Sequence, residues 1–394
     1  MKILHVTREK AADQRYGLGK SLLPVVSALQ AQGYEARYIC QADLEKHELD
    51  ELNRTRDWWA GKFTRLPARF GNVASVVDII VERLTMGRYA AKFASEMGAT
   101  HVHLHDPWIA EGFRRHASKV PDVLWGLTEH GFGSYAQAAK DEGISIGRRL
   151  MRLLLAWERR ILANAQWLVL PSASSRLQLT RDFSLFQTPS HWHTVPHARP
   201  ELKLLPRESA RALLGWLPDE KHVIGVGRFA MMKRFPMLIE ACAELAERHD
   251  LRLTLLGDGD TGPLLETAKC RSFENRLTLQ ATDDVGQYLS AADLYTSTSM
   301  TESFGMANLE AMVAGLPVVC AIGGATADVV GIGGWLVPGN SESVTGAMGS
   351  ILSDPSIASF WRTQAHAKGA AWPDSSTIAQ RYVDIYRLAS TQSH

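Results

Sequence analysis

The run TESFGMANLEA, Thr301 to Ala311, sets two carboxylates, Glu302 and Glu310, with seven residues between them, on either side of the small residue Gly305. A strand-like run, LYTSTS, precedes it and Gly315-Leu316-Pro317 follows, so a helix is expected to start near Phe304 or Gly305 and to stop before Gly315. The free N–H groups at such a helix start, with the helix dipole behind them, suit an anion such as phosphate, and Gly305 leaves room for its approach. On the helix wheel Met306, Leu309, Met312 and Val313 take the core side. Glu310 falls on another arc, in a shallow groove about 7 Å along the helix. A pyrophosphate at the helix start would bring a ribose to Glu310 and a sugar to Glu302. Without other support, the same two residues read as an N-terminal dipole partner and a solvated helix residue.

Two upstream stretches bear on that choice. GVGRFAMMKRF follows a buried strand and places Arg228 and Lys233 at its carboxyl end, where cations neutralise phosphates. LLGDGD is a strand ending in a tight glycine turn, in which Gly257 lets a backbone approach a ligand. Asp258 and Asp260 look like an Asp-x-Asp metal clamp, but no further carboxylate cluster accompanies them and sheet topology explains the turn, so no metal is expected.

These stretches need a scaffold. The 394 residues favour two domains, and the composition, 45% hydrophobic and 22% charged, is that of a globular protein without a membrane-spanning run. MKILHVTRE reads as a first strand rather than a signal peptide, which points to cytoplasmic residence. Cys40, Cys242, Cys270 and Cys320 are far apart, in no metal-ligand spacing, and fit reduced thiols. Residues 1–196 carry 26 Lys+Arg against 20 Asp+Glu and the remainder 17 against 22, so the front half is basic and suits an anionic partner.

Strand and helix patterns alternate along the chain. KILHV, a glycine loop ending in Gly17-Leu18-Gly19-Lys20, a helix over 21–32 and EARYIC form a βαβ unit. HVHLH, DVLWGL, a helix from about Ile146 to Ala163 and QWLVLPS continue it. The prolines around HTVPHARP mark a boundary, giving domains 1–196 and 197–374. A second alternation starts at HVIGVGRF and ends with GGWLV. Both halves therefore predict parallel sheets covered by helices, with ligands at the carboxyl ends of the strands. A last helix, 375–388, carries Ile378, Tyr382, Ile385 and Tyr386 on one stripe that must dock on something, and the N-terminal domain is the expected place.

TESFGMANLEAMVAGLPVV, with VGRFAMMKRFPMLIEA and LTLLGDGD upstream and GGWLVPGN downstream, resembles the retaining family-4 glycosyltransferases. HVHLHDPW and TEHGFGSY extend the likeness to the front half. The resemblance implies the GT-B fold, an α/β architecture of two Rossmann-like, doubly wound parallel-sheet domains facing a deep cleft. It implies that Arg228 and Lys233 bind a pyrophosphate, Glu310 a ribose, and Glu302 with the backbone of Phe304, Gly305, Met306 and Ala307 the transferred sugar and distal phosphate. His130 would touch the donor sugar near the reacting carbon, and Gly17 would leave room for phosphate and acceptor. The substrate would be a nucleotide-diphosphate sugar, UDP- or GDP-linked, with no further cofactor. Two departures stand out: Arg234 where the family has glycine, and Ala327 where it has a glutamate, with Asp328 beside it. The second leaves the sugar and base open. A sugar-nucleotide epimerase of the same architecture and a non-catalytic nucleotide-sugar-binding subunit are the alternatives.

Three front-half features carry rival readings. Gly19-Lys20-Ser21 mimics the end of a P-loop, but Gln14 stands where that pattern needs glycine. His101, His103 and His105 alternate onto one strand face and with Asp106 would suit a metal, although core histidines at a strand end are the commoner meaning. RTRDWWAGKFTRLPARF interleaves Arg54, Arg56, Lys62, Arg65 and Arg69 with Trp58 and Trp59, which suits an anionic membrane surface or a lipid-linked saccharide acceptor. Its bland reading is a loop with a small satellite core. No nucleic-acid fold signature accompanies it.

Overall fold

The computed structural model describes residues 1–12, 17–64, 72–141 and 143–392. The chain divides into two compact units, Met1–Ala198 with Asp374–His394, and Arg199–Pro373.

The first unit is built on six parallel strands: β1 (Lys2–Val6), β2 (Glu35–Ile39), β3 (His101–Leu104), β4 (Leu124–Thr128), β5 (Leu168–Leu170) and β6 (Trp192–Thr194), in the order β2-β1-β3-β4-β5-β6. Burial on both faces explains why β4 and β5 are almost continuously apolar. The helix Gly17–Ala31 begins four residues before the expected start, so Gly17 opens a helix instead of ending a loop. Two long helices, Lys46–Phe63 and Val73–Met97, fall where strand–helix alternation gives no signal. The basic aromatic segment is therefore helical as far as Phe63, not a loop. The helix Arg148–Asn164 has an apolar face that buries Leu154, Ile161 and Leu162.

The helix Ser375–Gln392 belongs to this first unit. Ile378, Tyr382, Ile385 and Tyr386 are buried with Val25, Val26 and Leu29 of the first helix and with Trp167. Tyr386 also shares a 2.8 Å hydrogen bond with His103 of β3.

The second unit has β7 (Lys221–Val226), β8 (Leu251–Leu256), β9 (Leu277–Gln280), β10 (Leu294–Ser297), β11 (Val318–Ala321) and β12 (Trp335–Val337), ordered β12-β11-β10-β7-β8-β9 and again parallel. Chain order reverses between β7 and β10 here and between β1 and β3 in the first unit. Loops leaving the carboxyl ends of neighbouring strands diverge at such a point and open a crevice. Among the described residues no helix is long and apolar enough to cross a membrane.

Candidate functional site

In the second unit the two loops at the reversal point are the stretches that carry Lys233 and Glu302. After β7 the chain passes through Gly227 at φ 150°, and Lys233 ends the single turn Met231–Lys233. A Cβ on Gly227 would sit 3.0 Å from the Lys233 Cε, so the lysine side chain runs back across this glycine. Its Nζ lies 2.5 Å from Glu302 Oε1, and the two side chains are 24% and 14% exposed. The backbones are tied as well. Thr298, just beyond β10, donates through its hydroxyl to the carbonyls of Lys233 and Arg234, and Met300 N–H donates to Met232 O.

Arg234 explains one departure from the family pattern. It is left-handed, φ 48° and ψ 37°, a conformation that costs a side-chain-bearing residue about 1–2 kcal/mol and glycine almost nothing. Its guanidinium holds Thr298 O at 3.0 Å and Gly339 O at 2.6 Å, contacts that offset the strain and that glycine lacks.

The helix beyond β10 starts at Met306, with Gly305 at φ 90° as its cap. Phe304 is buried and packs edge-on against Trp372, so its side chain belongs to the core and only its backbone faces the helix start. Glu310 is 2% exposed, not in an open groove, on a helix that packs against β10, β11 and the helix Pro355–Ala370. Inside the same helix, Asn308 accepts from the Tyr295 hydroxyl at 2.9 Å.

Gly257 has a packing role. A Cβ there would lie 2.0 Å from the Gly227 carbonyl oxygen, and Gly259, at φ 129°, bridges to Phe229. The GDGD turn is thus pressed against the loop that carries Arg228, which is exposed.

The first unit places His130 just after β4, with one end of its ring against His105. His5 Nδ1 and His105 Nε2 are 3.0 Å apart, and His105 Nδ1 and His130 Nε2 are also 3.0 Å apart. His197 stacks on His130 at 5.5 Å and 7°. His103 stacks on His105 and bonds Thr128 at 2.7 Å. Burial holds His5, His103, His105, His130 and His197 below the ordinary histidine value, His5 at about 3 and His197 at about 4. The alternating histidines of β3 are therefore neutral, mutually packed groups, with His101 reaching Ser390 of the last helix.

The helix Lys46–Phe63 carries Arg54, Arg56, Trp58, Trp59 and Lys62; Arg65 and Arg69 lie outside the described residues. Arg56 is spent inside the unit on Asp78 at 3.0 Å and Glu82 at 3.3 Å, which removes it from any anion-binding surface. Trp58 and Trp59 are exposed, and Lys62 lies 3.4 Å over the Trp58 ring.

The structure thus brings Lys233, Glu302, Gly305 and Glu310 together in one unit and sets His130 and Gly17 in the other. Sequence reasoning passed over His5, Glu129, Arg83 and Thr298. The histidine inside the otherwise apolar strand KILHV was the one available signal for the imidazole chain.

The family model for glycosyl transferases group 1 matches residues 220–354, and that for the glycosyl transferase 4-like domain matches residues 16–197. The D-inositol 3-phosphate glycosyltransferase of Rhodococcus opacus is 30% identical over 253 residues, covering 59% of this chain and 55% of that protein. The chain spans about half the length of the curated relatives it matches. Among solved structures, the sucrose-phosphate synthase of Thermosynechococcus elongatus superposes with a TM-score of 0.78 at 20% identity, over 99% of both chains. Anabaena HepE in complex with UDP-glucose gives 0.70 at 18%, over 99% of this chain and 100% of that one. The two family matches, one in each unit, together with this shared fold, make the chain a member of the group 1, family-4 glycosyltransferases with the GT-B fold.

Proposed function

We propose that the protein moves a sugar from a nucleotide-diphosphate sugar to an acceptor hydroxyl with retention of configuration. The observation that carries this reading is the Lys233–Glu302 pair at the reversal point of the second sheet, beside a helix start capped by Gly305. A lysine ammonium has three N–H donors. One is held by Glu302, which leaves two for the oxygens of a diphosphate, with the free N–H groups of the helix start and Arg228 as further partners. Glu302 keeps its second oxygen for a sugar hydroxyl, and Glu310, buried a turn further along, would have to turn out of its packing to meet a ribose.

Bond cleavage places negative charge on the departing diphosphate, and fixed cations and N–H groups lower that barrier. None of the assembled side chains is placed as an obvious nucleophile, so attack from the face of the leaving group, with the phosphate taking the acceptor proton, is the favoured course. No metal is required. HepE was solved with UDP-glucose, which favours a uridine sugar over a guanosine one. The acceptor is a saccharide or a lipid-linked saccharide of the kind used for cell-surface polysaccharide. The exposed Trp58, Trp59 and Lys62 supply contact with an anionic membrane.

A donor-turnover assay with a panel of acceptors tests this. Lys233→Ala is expected to lose about 3 kcal/mol of transition-state stabilisation, roughly a hundredfold in kcat. Wild-type turnover in that variant would contradict the proposal. EDTA should leave the rate intact, whereas a loss reversed by magnesium would reassign Asp258 and Asp260 as ligands. Free nucleotide released without acceptor would indicate an epimerase, and binding without turnover a non-catalytic subunit.

A further inference from the structure

A pocket of about 320 Å³ opens on the second unit at the amino ends of β7 and β10, the edge of the sheet opposite the Lys233 and Glu302 loops. At about 3.3 Å per residue, the six residues of β7 put roughly 17 Å of strand between this pocket and the reversal point. Its charged wall comes from two helices and two strand ends. Arg207 opens the helix Arg207–Leu214, Lys221 is the first residue of β7, Asp293 stands just before β10, and Arg362 lies on the helix Pro355–Ala370. Ile351, Leu352 and Ala358 supply an apolar side.

The charges on this wall do not balance. Among the described residues that line it, three cations face one carboxylate, and that carboxylate is already committed. Asp293 Oδ1 accepts from Arg207 at 2.6 Å, and Oδ2 accepts from Arg211 and from the His222 N–H, each at 2.8 Å. Arg207 also donates to the Ala292 carbonyl at 2.7 Å. This network ties the helix Arg207–Leu214 to the start of β10 and accounts for Arg207 and Asp293 as structural groups. It gives Lys221 and Arg362 nothing to hold, and neither side chain has an ion-pair or hydrogen-bond partner among the described residues. Enclosure by protein first, and the Arg207 charge second, hold the Arg362 guanidinium below its ordinary value, while Asp293 pulls the other way. Like charges gathered in one recess repel each other, and a bound anion relieves that repulsion.

We propose that this pocket binds a small phosphomonoester, as a second anion site separate from the donor crevice. Lys221 and Arg362 hold the phosphate with Arg207 beside them, and the organic part of the ligand rests on Ile351, Leu352 and Ala358. A phosphomonoester carries about −1.5 to −2 charges near pH 7, which matches the two cations that Asp293 leaves unbalanced. The guanidinium offers a planar fork to two phosphate oxygens and the ammonium a point charge. The pocket falls at the lower end of the range of small-molecule sites, about 300–1,000 Å³, and its apolar side would stay wet beneath a bare phosphate ion. Because the cations sit on a strand and two helices, the anion links three elements of the second unit and stabilises it by mass action. Nothing in this inference requires sugar transfer.

Titration of the intact ¹⁵N-labelled protein at low salt, followed by its arginine Nε–H signals, tests the proposal. Ethyl phosphate is the probe, with inorganic phosphate, sulfate and ethanol as comparisons, each with and without saturating UDP. The Arg362 and Arg207 signals should shift with ethyl phosphate, UDP should leave the affinity unchanged, and ethanol should give no response. Burial of the ethyl group should make ethyl phosphate bind about threefold to tenfold more tightly than inorganic phosphate. Arg362→Gln and Lys221→Gln should each weaken it at least tenfold. Without any anion, Arg362→Gln should unfold at the same temperature as the wild type or higher, since it removes a repulsion; a purely structural arginine would give a fall. Phosphatidic acid vesicles, a lipid source of the same group, should not compete.

Equal affinity for sulfate, inorganic phosphate and ethyl phosphate would mean an adventitious ion only, and would overturn the proposal. So would displacement of the probe by UDP, competition by the vesicles, or unchanged affinity in both glutamine variants. A protein that binds no UDP would lose the glycosyl-transfer reading and leave the variant effects standing, so the two failures are told apart.

Discussion

Acidification from pH 7.5 to 5.5 tests whether the first unit holds its histidines neutral. His5, His103, His105, His130 and His197 have folded values depressed by burial, and an unfolded histidine titrates near 6.5. For a depressed group, stability is fully present above the unfolded value and is lost as pH falls. At pH 5.5 each unfolded histidine is about nine-tenths protonated, a loss of about 1.4 kcal/mol apiece and roughly 7 kcal/mol for the five. Two buried carboxyls act in the opposite sense. Glu129 is raised to about 7 and Glu158 well above the ordinary carboxylate range, both chiefly by burial. The stability they contribute is present below the unfolded value and is lost as pH rises through the folded one, so the same acidification returns about 2 kcal/mol from Glu129 and from Glu158 a gain that one proton over two pH units caps at about 3 kcal/mol. The net expected loss is therefore at least roughly 2 kcal/mol, a large share of a typical domain stability.

Hydrogen exchange of peptides spanning β1 and β3, corrected for the intrinsic pH dependence of exchange, reads this directly. In Glu129→Gln the carboxyl offset disappears, so the loss on acidification should grow by about 2 kcal/mol. Opening free energies that stay level or rise in the wild type, or that fall equally in both proteins, would refute the placement of neutral imidazoles beside a protonated carboxyl.

Arg234→Ala keeps the left-handed strain and loses the guanidinium contacts, whereas Arg234→Gly loses the contacts but relieves the strain. The glycine variant should be more stable than the alanine one by about 1 kcal/mol in urea unfolding, and the reverse order would sink the strain argument. Gly257→Ala must push the β8 loop off the Gly227 carbonyl, with an expected loss of about 1–3 kcal/mol in thermal unfolding and a fall in turnover from the displaced Lys233 loop. Trp58→Ala should reduce co-sedimentation with anionic vesicles while Arg56→Ala does not; equal effects would place the membrane contact elsewhere.

Much of the second unit was legible because its chemistry is local in sequence. Glycines, cations and carboxylates lie at strand ends whose βαβ rhythm fixes where strand ends go, so the Lys233 and Glu302 loops could be brought together from topology. The burial of Glu310 was not legible, since it is set by how its helix packs on elements distant in sequence, β10 and β11 among them. In the first unit the helices Lys46–Phe63 and Val73–Met97 interrupt the alternation, and their ion pairs, such as Arg56 with Asp78, cannot be read from a run of basic and aromatic residues. The His5–His105–His130 chain joins a residue on β1 to residues just beyond β3 and β4, and pairing of that kind has no sequence period.

The helix Ser375–Gln392 closes the core of a unit whose other residues end near Ala198. During synthesis the segment Arg199–Pro373 has all its own strands before that helix leaves the ribosome, so the portion made second is able to fold first. The portion made first must wait with the apolar side of Val25, Val26, Leu29 and Trp167 uncovered. Ribosome stalling or cleavage shortly before Ser375 would release a chain with one finished half and one sticky half, a natural substrate for chaperones.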